Sequence, residues 1–447
     1  MSLQDLTDRL KAEAVRLGFD QVGIAPAVAP PGYPDFLRWL AAGHAAGMDY
    51  LRRQEPSRAH PAALLGEVRS IIMVSLVYGS NASGSGAAAS SPARGKVARY
   101  ARGVDYHRVL WDKLEQLLGW LHAQRPEATG RAVVDTAPLL ERDYAQLAGL
   151  GWIGKNTMLI HRRLGSFTFL GALLTNLEFA YDRPHQVNHC GSCTRCLDAC
   201  PTDAFAGPYE LDARRCISYW TIEHRGMLSE EAAENLHGWV FGCDICQDVC
   251  PWNRKAPSGR LGAFAARPDW IDPDLIEWLE LDPAAWRAKL AGTALARAKR
   301  VGLLRNAAHV LGHRRVPTAV PALAGRLDDL GEHPQVRAAA AWALGRIATQ
   351  AARDALDRHQ DDPEPQVAAA VGTARHHGRR IQGEQGRADG LEPPARSLPP
   401  EVDSGPPPPI GEDPGGIPPQ SVGQPPSAAP GPAEGGWPTP SPFRGSI

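Results

Sequence analysis

Cys190-Gly191-Ser192-Cys193-Thr194-Arg195-Cys196-Leu197-Asp198-Ala199-Cys200-Pro201 decides how this chain is read. Its C-x2-C-x2-C-x3-C-P spacing is the one with which bacterial ferredoxins hold 4Fe–4S clusters. A second run, Cys243-Asp244-Ile245-Cys246-Gln247-Asp248-Val249-Cys250-Pro251, lacks only the first cysteine, and Val240 stands in that place. Of the 8 cysteines only Cys216 is left, so it can supply the missing ligand from a distance. In two-cluster ferredoxins the fourth cysteine of each run crosses to the other cluster. One cluster then takes Cys190, Cys193, Cys196 and Cys250, and the other Cys200, Cys216, Cys243 and Cys246. Zinc is the competing reading of paired C-x2-C. The three-cysteine run and the repeated Cys-Pro favour iron–sulfur and electron transfer.

Working outward, the start of the chain shows neither a basic n-region nor an apolar h-region, and no apolar run approaches the roughly 18 residues of a membrane span. A cytoplasmic protein without membrane contact is expected. Residues 1–185 read as an α/β domain. The periodicity predicts helices over 3–17 and 105–121, the latter with Leu110, Leu114, Leu117, Leu118 and Leu121 on one face. Apolar runs at 21–25, 70–78, 131–134 and 167–173 predict strands. The ferredoxin-like insert occupies 186–256.

Residues 257–381 form the next expected domain, and from about 283 the chain turns Ala/Leu-rich and helical. Asn306-Ala307-Ala308-His309-Val310-Leu311-Gly312 recurs 33 positions later as Ala339-Ala340-Ala341-Trp342-Ala343-Leu344-Gly345. His333-Pro334-Gln335-Val336 recurs 31 positions later as Glu364-Pro365-Gln366-Val367. That period suits HEAT-like helical repeats, with an ordinary Ala-rich bundle as the alternative. Residues 382–447 carry repeated Pro pairs among Gly, Ser and acids, a composition expected to be disordered. The Gly/Ala/Ser-rich piece from Asn81 to Ser91 is expected to be flexible.

Short nucleotide motifs do not hold up. Gly84-Ser85-Gly86-Ala87-Ala88-Ala89 fits G-x-G-x-x-A but runs into Ser90-Ser91-Pro92 where a helix should start. Gly149 to Lys155 fits part of a phosphate loop, but Asn156 replaces the magnesium-binding Ser or Thr. Asp135 is a more promising residue. It ends the run Ala132-Val133-Val134, and in open α/β sheets ligands sit beyond the carboxyl ends of strands. A carboxyl there can donate a proton. It can equally be a helix cap or turn residue.

Several strings together resemble the epoxyqueuosine reductase family over about residues 1–375. They are Tyr100-Ala101-Arg102-Gly103-Val104-Asp105-Tyr106-His107, Val134-Asp135-Thr136-Ala137-Pro138, Glu141-Arg142, Gly149 to Asn156, Cys216 to Glu223 and the two cysteine runs. The resemblance implies a cobalamin-binding α/β domain with a two-cluster ferredoxin-like insert, followed by a HEAT-like domain that helps hold tRNA. It implies reduction of the epoxide of epoxyqueuosine to the cyclopentene of queuosine at the tRNA wobble position, the last step of queuosine synthesis. Asp135 matches the family's proton donor, a role that a desolvated Asp with a raised pKa would suit. Arg58, Tyr100, His107, Asp135, Lys155 and Ser218 are implied near the cobalamin. An external low-potential electron donor and a monomeric enzyme are expected.

The formal charge of −1 conceals a basic region. From Pro283 to Leu327 there is no Asp or Glu, against nine basic residues: Arg287, Lys289, Arg297, Lys299, Arg300, Arg305, Arg314, Arg315 and Arg326. An RNA backbone suits such a stretch, with Lys299, Arg300, Arg314 and Arg315 as the expected contacts. The flipped wobble base would enter the α/β domain. A reductive dehalogenase would share cobalamin and two clusters, but should carry an export signal and needs no basic repeat domain. A plain electron carrier would need neither the α/β domain nor the repeats.

Overall fold

A computed structural model describes residues 2–79 and 91–388. The Gly84–Ala89 string, most of the Asn81–Ser91 piece and the Pro-rich tail from 389 lie outside the described residues. Helix α1, Leu3–Arg16, starts at a capping box: the Ser2 hydroxyl accepts from the Asp5 N–H, and the Asp5 carboxylate accepts from the Ser2 N–H. There follow β1 (Gln21–Pro26), β2 (Ser70–Val77), α2 (Tyr106–Gln124), β3 (Gly130–Val133), α3 (Glu141–Leu147) and β4 (Thr168–Thr175). The strands form one four-stranded sheet in the order β1-β2-β4-β3.

Strand β2 is buried at every position because helices cover both faces of the sheet. Ile72, Val74 and Leu76 pack with Leu6, Leu10 and the leucines of α2, whereas Ile71 and Met73 pack with Tyr144, Ala145 and Leu147 of α3. All five leucines expected on one face of α2 are buried. The strand pairing departs from expectation, since every neighbouring pair is antiparallel. The carboxyl-end rule for parallel sheets therefore does not apply to Asp135. Alternating and continuous apolar runs report burial, and carry no information on strand direction.

The cysteine-bearing segment does not hang apart from this body. Its strand at Trp239–Phe241 pairs in parallel with Lys96–Val97, and the Trp39 indole donates to the Leu211 carbonyl at 2.6 Å. One hydrophobic core runs from Phe36 through Trp239 to Ala374, drawing on residues from all three expected segments. Cys216 caps a short helix, α4 (Ile217–Ile222).

The repeats are α5 (Lys299–His313), α6 (Val320–Asp328), α7 (Pro334–Ile347), α8 (Gln350–Asp357) and α9 (Pro365–Ala388). Pro334 and Pro365 each take the first helical position, where a missing N–H costs nothing. The repeated glycines are explained by close approach. A Cβ on Gly312 would stand 2.6 Å from the Ala343 Cα, and one on Gly345 would stand 2.6 Å from the Ala374 Cβ. Thus α5 packs on α7, and α7 on α9, through the same kind of contact.

Arg305 and Asn306 of α5 lock these repeats to the cysteine segment. Arg305, 1% exposed, donates to the carbonyls of His224 (3.0 Å), Gly226 (2.6 Å) and Trp220 (2.8 Å). Asn306 Nδ2 donates to the carbonyls of Thr221 and Val240, both at 2.9 Å. Burial, then the nearby Arg225 charge, lower the Arg305 pKa to about 10, which leaves it charged at neutral pH. Arg305→Met fills much the same space but strands those carbonyls, so we expect a loss of roughly 3 kcal/mol. Urea unfolding followed by circular dichroism checks this, and an unchanged midpoint would contradict it.

Candidate active site

The site is built on the turn that follows β3. Asp135 adopts a left-handed backbone conformation, φ 52°, which non-glycine residues take at some cost and often at functional positions. Its carboxylate caps no helix. Instead the Tyr106 hydroxyl donates to Asp135 Oδ2 at 3.0 Å, and His107 Nε2 lies 3.1 Å from the same oxygen. Both partners come from the first turn of α2, which Asp105 caps by accepting from the His107 N–H. The other imidazole nitrogen, Nδ1, lies 2.7 Å from Asp105 Oδ1. The Asp135 N–H donates to Glu141 Oε1 at 2.7 Å, tying the turn to the start of α3. The Tyr106 ring stacks on Phe169 of β4 with centroids 4.2 Å apart, and Tyr100 meets Tyr106 edge-on at 6.1 Å.

Asp135 lies in a deep recess that is open on one side, with 59% of its side chain accessible. The expectation of a raised Asp135 pKa is not met. Burial does favour its neutral form, but the hydrogen bond and charge of His107 and the Tyr106 hydroxyl outweigh it and hold the pKa below its ordinary value. For His107, burial opposes the charge, while Asp105 and Asp135 outweigh burial and lift the pKa to about 9. Burial and then the negative Asp135 push Glu141 up to about 8. The site therefore favours a carboxylate at Asp135, an imidazolium at His107 and a neutral carboxyl at Glu141. Sequence reasoning quoted Glu141 but gave it no role, because a raised pKa depends on burial that no motif displays.

The other cofactor candidates divide. Arg58 and Tyr100 stand within electrostatic reach of Asp135, and burial lowers the pKa of Arg58 and raises that of Tyr100. Ser218 offers its backbone N–H to the Cys216 sulfur. Lys155 is committed elsewhere, donating to the carbonyls of Gly191 (2.8 Å) and Cys193 (3.0 Å). Beside Asp135 the half-buried rings of Tyr100 and Tyr106, with charged and hydroxyl groups at their edge, offer the aromatic surface that a large flat macrocycle needs.

The structure brings the cysteines together in two sets. Cys196 faces Cys190, Cys250 and Cys193, and burial followed by these neighbours pushes its thiol up to about 11. Cys190 and Cys250 share a small apolar cluster with Trp152, Ile160 and Trp252. In the second set Cys246 faces Cys216 and Cys200, and Cys243 faces Cys246 and Cys216. Cys196 and Cys246 also stand within reach of one another. Among the described residues no three His, Cys, Asp or Glu side chains close on a single ion. The second set borders the Asp135 recess through Arg142, which lies within electrostatic reach of Glu141, Asp135 and Cys246.

The basic stretch is less available than its composition suggests. Arg300 pairs with Glu332 and Arg314 donates to the carbonyls of Pro92 and Arg94, so neither is free for RNA as expected. Arg297 makes a two-point bond to Glu223, Lys289 pairs with Asp269, and Arg326 bonds Glu332 and two carbonyls. Lys299 and Arg315 remain exposed, and no carboxylate partner is found for them among the described residues. The balancing acids lie outside the 283–327 window, where a local charge count cannot see them.

Comparisons with known proteins agree with this architecture. Family models match a 4Fe-4S double cluster binding domain at residues 189–253, HEAT repeats at 289–374 and epoxyqueuosine reductase QueG at 58–136. These features define an iron–sulfur oxidoreductase with a helical-repeat extension. The chain is 45% identical over 271 residues to an epoxyqueuosine reductase of Synechocystis sp., covering 60% of this chain and 91% of that one. It is 39% identical over 342 residues to one of Pseudomonas aeruginosa, covering 76% and 94%. A crystal structure of epoxyqueuosine reductase with an epoxyqueuosine-modified tRNA-Tyr stem loop superposes with a TM-score of 0.79 at 29% identity, over 85% of this chain and 100% of that one. The chain belongs to the epoxyqueuosine reductase family.

The Asp105–His107–Asp135 chain has a pH signature. Because the folded pKa of His107 is raised, the stability it contributes is complete below about 6.5, its ordinary value, and is lost as pH rises through about 9. Asp135 is depressed, so its contribution is present above the ordinary carboxylate range and is lost as pH falls through its folded value. In histidine-labelled NMR, His107 should titrate near 9 and move down in Asp135→Asn. A wild-type value near 6.5 would mean that the network does not form in solution.

Proposed function

We propose that this chain reduces the epoxide of epoxyqueuosine in tRNA to the alkene of queuosine, taking two electrons and two protons and releasing water. One observation carries the reading beyond family membership: a proton-rich carboxylate network stands next to one of two cysteine sets. The crossed sets, Cys190, Cys193, Cys196 with Cys250 and Cys200, Cys216, Cys243 with Cys246, would each hold a 4Fe–4S cluster. Cobalamin in the recess beside Arg58, Tyr100 and His107 would supply a strong cobalt-centred reductant. Residues 1–185 would then bind cofactor and substrate, 186–256 relay electrons, and 257–381 support the tRNA. No helix among the described residues is long and apolar enough to cross a membrane. We place the enzyme in the cytoplasm as a monomer supplied by an external donor.

The proton inventory fits the stoichiometry. Asp135 is the group open to the recess, so it would hand a proton to the oxygen leaving carbon. As an aspartate at rest it must first be charged, and His107, in direct contact, can do so. Glu141, whose neutral form burial favours, would hold a second proton behind the turn. Tyr106 orients the Asp135 carboxylate and, having a raised pKa, keeps its own proton.

Asp135→Asn should retain the fold and both cysteine sets, yet slow turnover about 100- to 10,000-fold, the usual worth of general acid catalysis. Single-turnover assays with prereduced enzyme and nucleoside analysis of the tRNA measure this. Wild-type rates in the variant would assign the acid to another group.

For tRNA, Lys299 opens α5 and Arg315 lies two residues past its last residue, so the roughly 21 Å length of the helix, at 1.5 Å per residue, separates them. Changing both to Gln should lower the log–log salt slope of tRNA binding by somewhat less than one unit each. Arg300→Gln should leave the slope alone and reduce stability, since it removes one of the two guanidinium partners of the buried Glu332 and leaves only Arg326. An unchanged slope in the double variant would place the RNA elsewhere.

A further inference from the structure

Electrons must enter this molecule at its surface, and the two cysteine sets differ in how they meet it. In the second set buried Gly242, Asp244 and Gln247 flank Cys243 and Cys246 and buried Ile217 follows Cys216, while only Arg215 and Pro201, beside Cys216 and Cys200, face solvent. The first set lies under solvent-facing chain, with Gly191, Ser192, Thr194 and Arg195 all exposed between its cysteines. Only the second set borders the Asp135 recess, through Arg142. The first set is therefore the outer one.

Three segments converge around it. Trp152 packs on His185 (5.6 Å between centroids), His189 (4.8 Å) and Trp252 (5.0 Å), which joins the 183–197 loop to the 250–255 turn. The Ser166 N–H donates to Asn253 at 2.7 Å, which brings the 161–165 hairpin tip against the same turn. These three segments contain no Asp or Glu. They carry Arg162, Arg163, Arg183, Arg195, Arg254 and Lys255, all exposed and without a carboxylate partner among the described residues. Val187, 59% exposed, adds an apolar contact among them.

In the repeat region most cations bond carboxylates or carbonyls, as Arg297, Arg300, Arg314 and Arg326 do, and the unpaired Lys299 and Arg315 stand apart from one another. A ring of unpaired ones around the shallow cysteine set needs a different account. We infer that this face is the docking surface for a small acidic one-electron carrier protein, which reduces the outer cluster. Each encounter moves one electron from the reduced carrier to the oxidised cluster, leaving the carrier oxidised and the cluster reduced by one. Two encounters supply the two electrons that one epoxide consumes. Complementary charge would steer the carrier and raise the encounter rate, a benefit that salt removes. RNA is the less favoured occupant, because a nucleic acid seated here would cover the route by which electrons enter.

The inference rests on the iron–sulfur reading proposed above, and the test separates the two. Arg162→Glu, Arg163→Glu and Arg254→Glu would be combined in the full chain, with the corresponding Gln variant as a milder partner. A photoreduced acidic two-iron ferredoxin serves as the probe, and cluster bleaching is followed by stopped flow over a salt series. The wild-type rate should fall with salt. The Glu variant should be slower by about tenfold or more at low salt and converge with wild type at high salt. Dithionite-driven turnover and tRNA affinity should match wild type in both variants. An unchanged ferredoxin rate at every salt concentration overturns the docking surface, and so does lost tRNA affinity with an unchanged ferredoxin rate, which would make this an RNA face. Failure of wild type itself to bind iron or to turn over with dithionite would instead overturn the proposed function. If the Glu variant loses iron, the Gln variant decides the matter by its salt dependence.

Discussion

The clasp made by Arg305 and Asn306 is the interaction on which the arrangement of this molecule depends. A ferredoxin run normally supplies its cluster ligands from adjacent turns of chain, so their spacing is fixed locally. Here Val240 occupies the position of the missing cysteine, and Cys216 stands 27 residues before Cys243. Something must hold the two approaches in register. Asn306 does so by bonding the carbonyls of Thr221, on the helix that Cys216 caps, and of Val240, in the strand leading to Cys243. The Gly242 N–H completes the tie by donating to the Thr221 hydroxyl at 2.9 Å. The repeat domain is therefore part of the cysteine site. Its first inward helix carries Asn306 where the next repeat carries Ala339, and that departure from the repeat marks the helix that performs this second task.

Charge placement in the recess follows a related logic. A carboxylate held by an imidazolium and a tyrosine hydroxyl is a poor resting acid but a well-aimed one. Its left-handed turn points it away from the capping role that its sequence position invites. Burial that would otherwise neutralise Asp135 is expressed on Glu141 instead, which sits behind it on the N–H side of the turn. Two neighbouring carboxyl groups in one low-dielectric region rarely both ionise. The contacts of His107 decide which of them does.

Much of this was legible in the sequence, and the exceptions share a cause. The cysteine spacing, the leucine face of α2 and the recurring glycines are local patterns set by covalent chain geometry, and each is found where its period places it. Strand direction was not legible, because β2 is covered on both faces and an apolar run reads the same in parallel and antiparallel sheets. The ionisation order of Asp135 and Glu141 depends on atoms contributed by Asp105 and His107 of a different helix. The acidless stretch from 283 to 327 looked like one RNA-binding face. Glu223, Asp269 and Glu332, all outside that window, turn much of it into internal ion pairs.

That last point sharpens how charge should be read on this protein. A cation matters for recognition only if the fold leaves it unpaired, because a bonded guanidinium must break a contact before making another. By that criterion the repeat helices offer only scattered points, such as Lys299 and Arg315, suited to positioning a backbone without reading bases. The dense unpaired positive field lies around the outer cysteine set instead. On the proposed reading, protons would be supplied beside Asp135 and electrons would enter at the outer cysteine set, while RNA would be held by isolated contacts on a third element. A reductase whose substrate is a macromolecule gains from such a separation, since a tRNA seated over Asp135 would otherwise obstruct the donor that must reduce the enzyme.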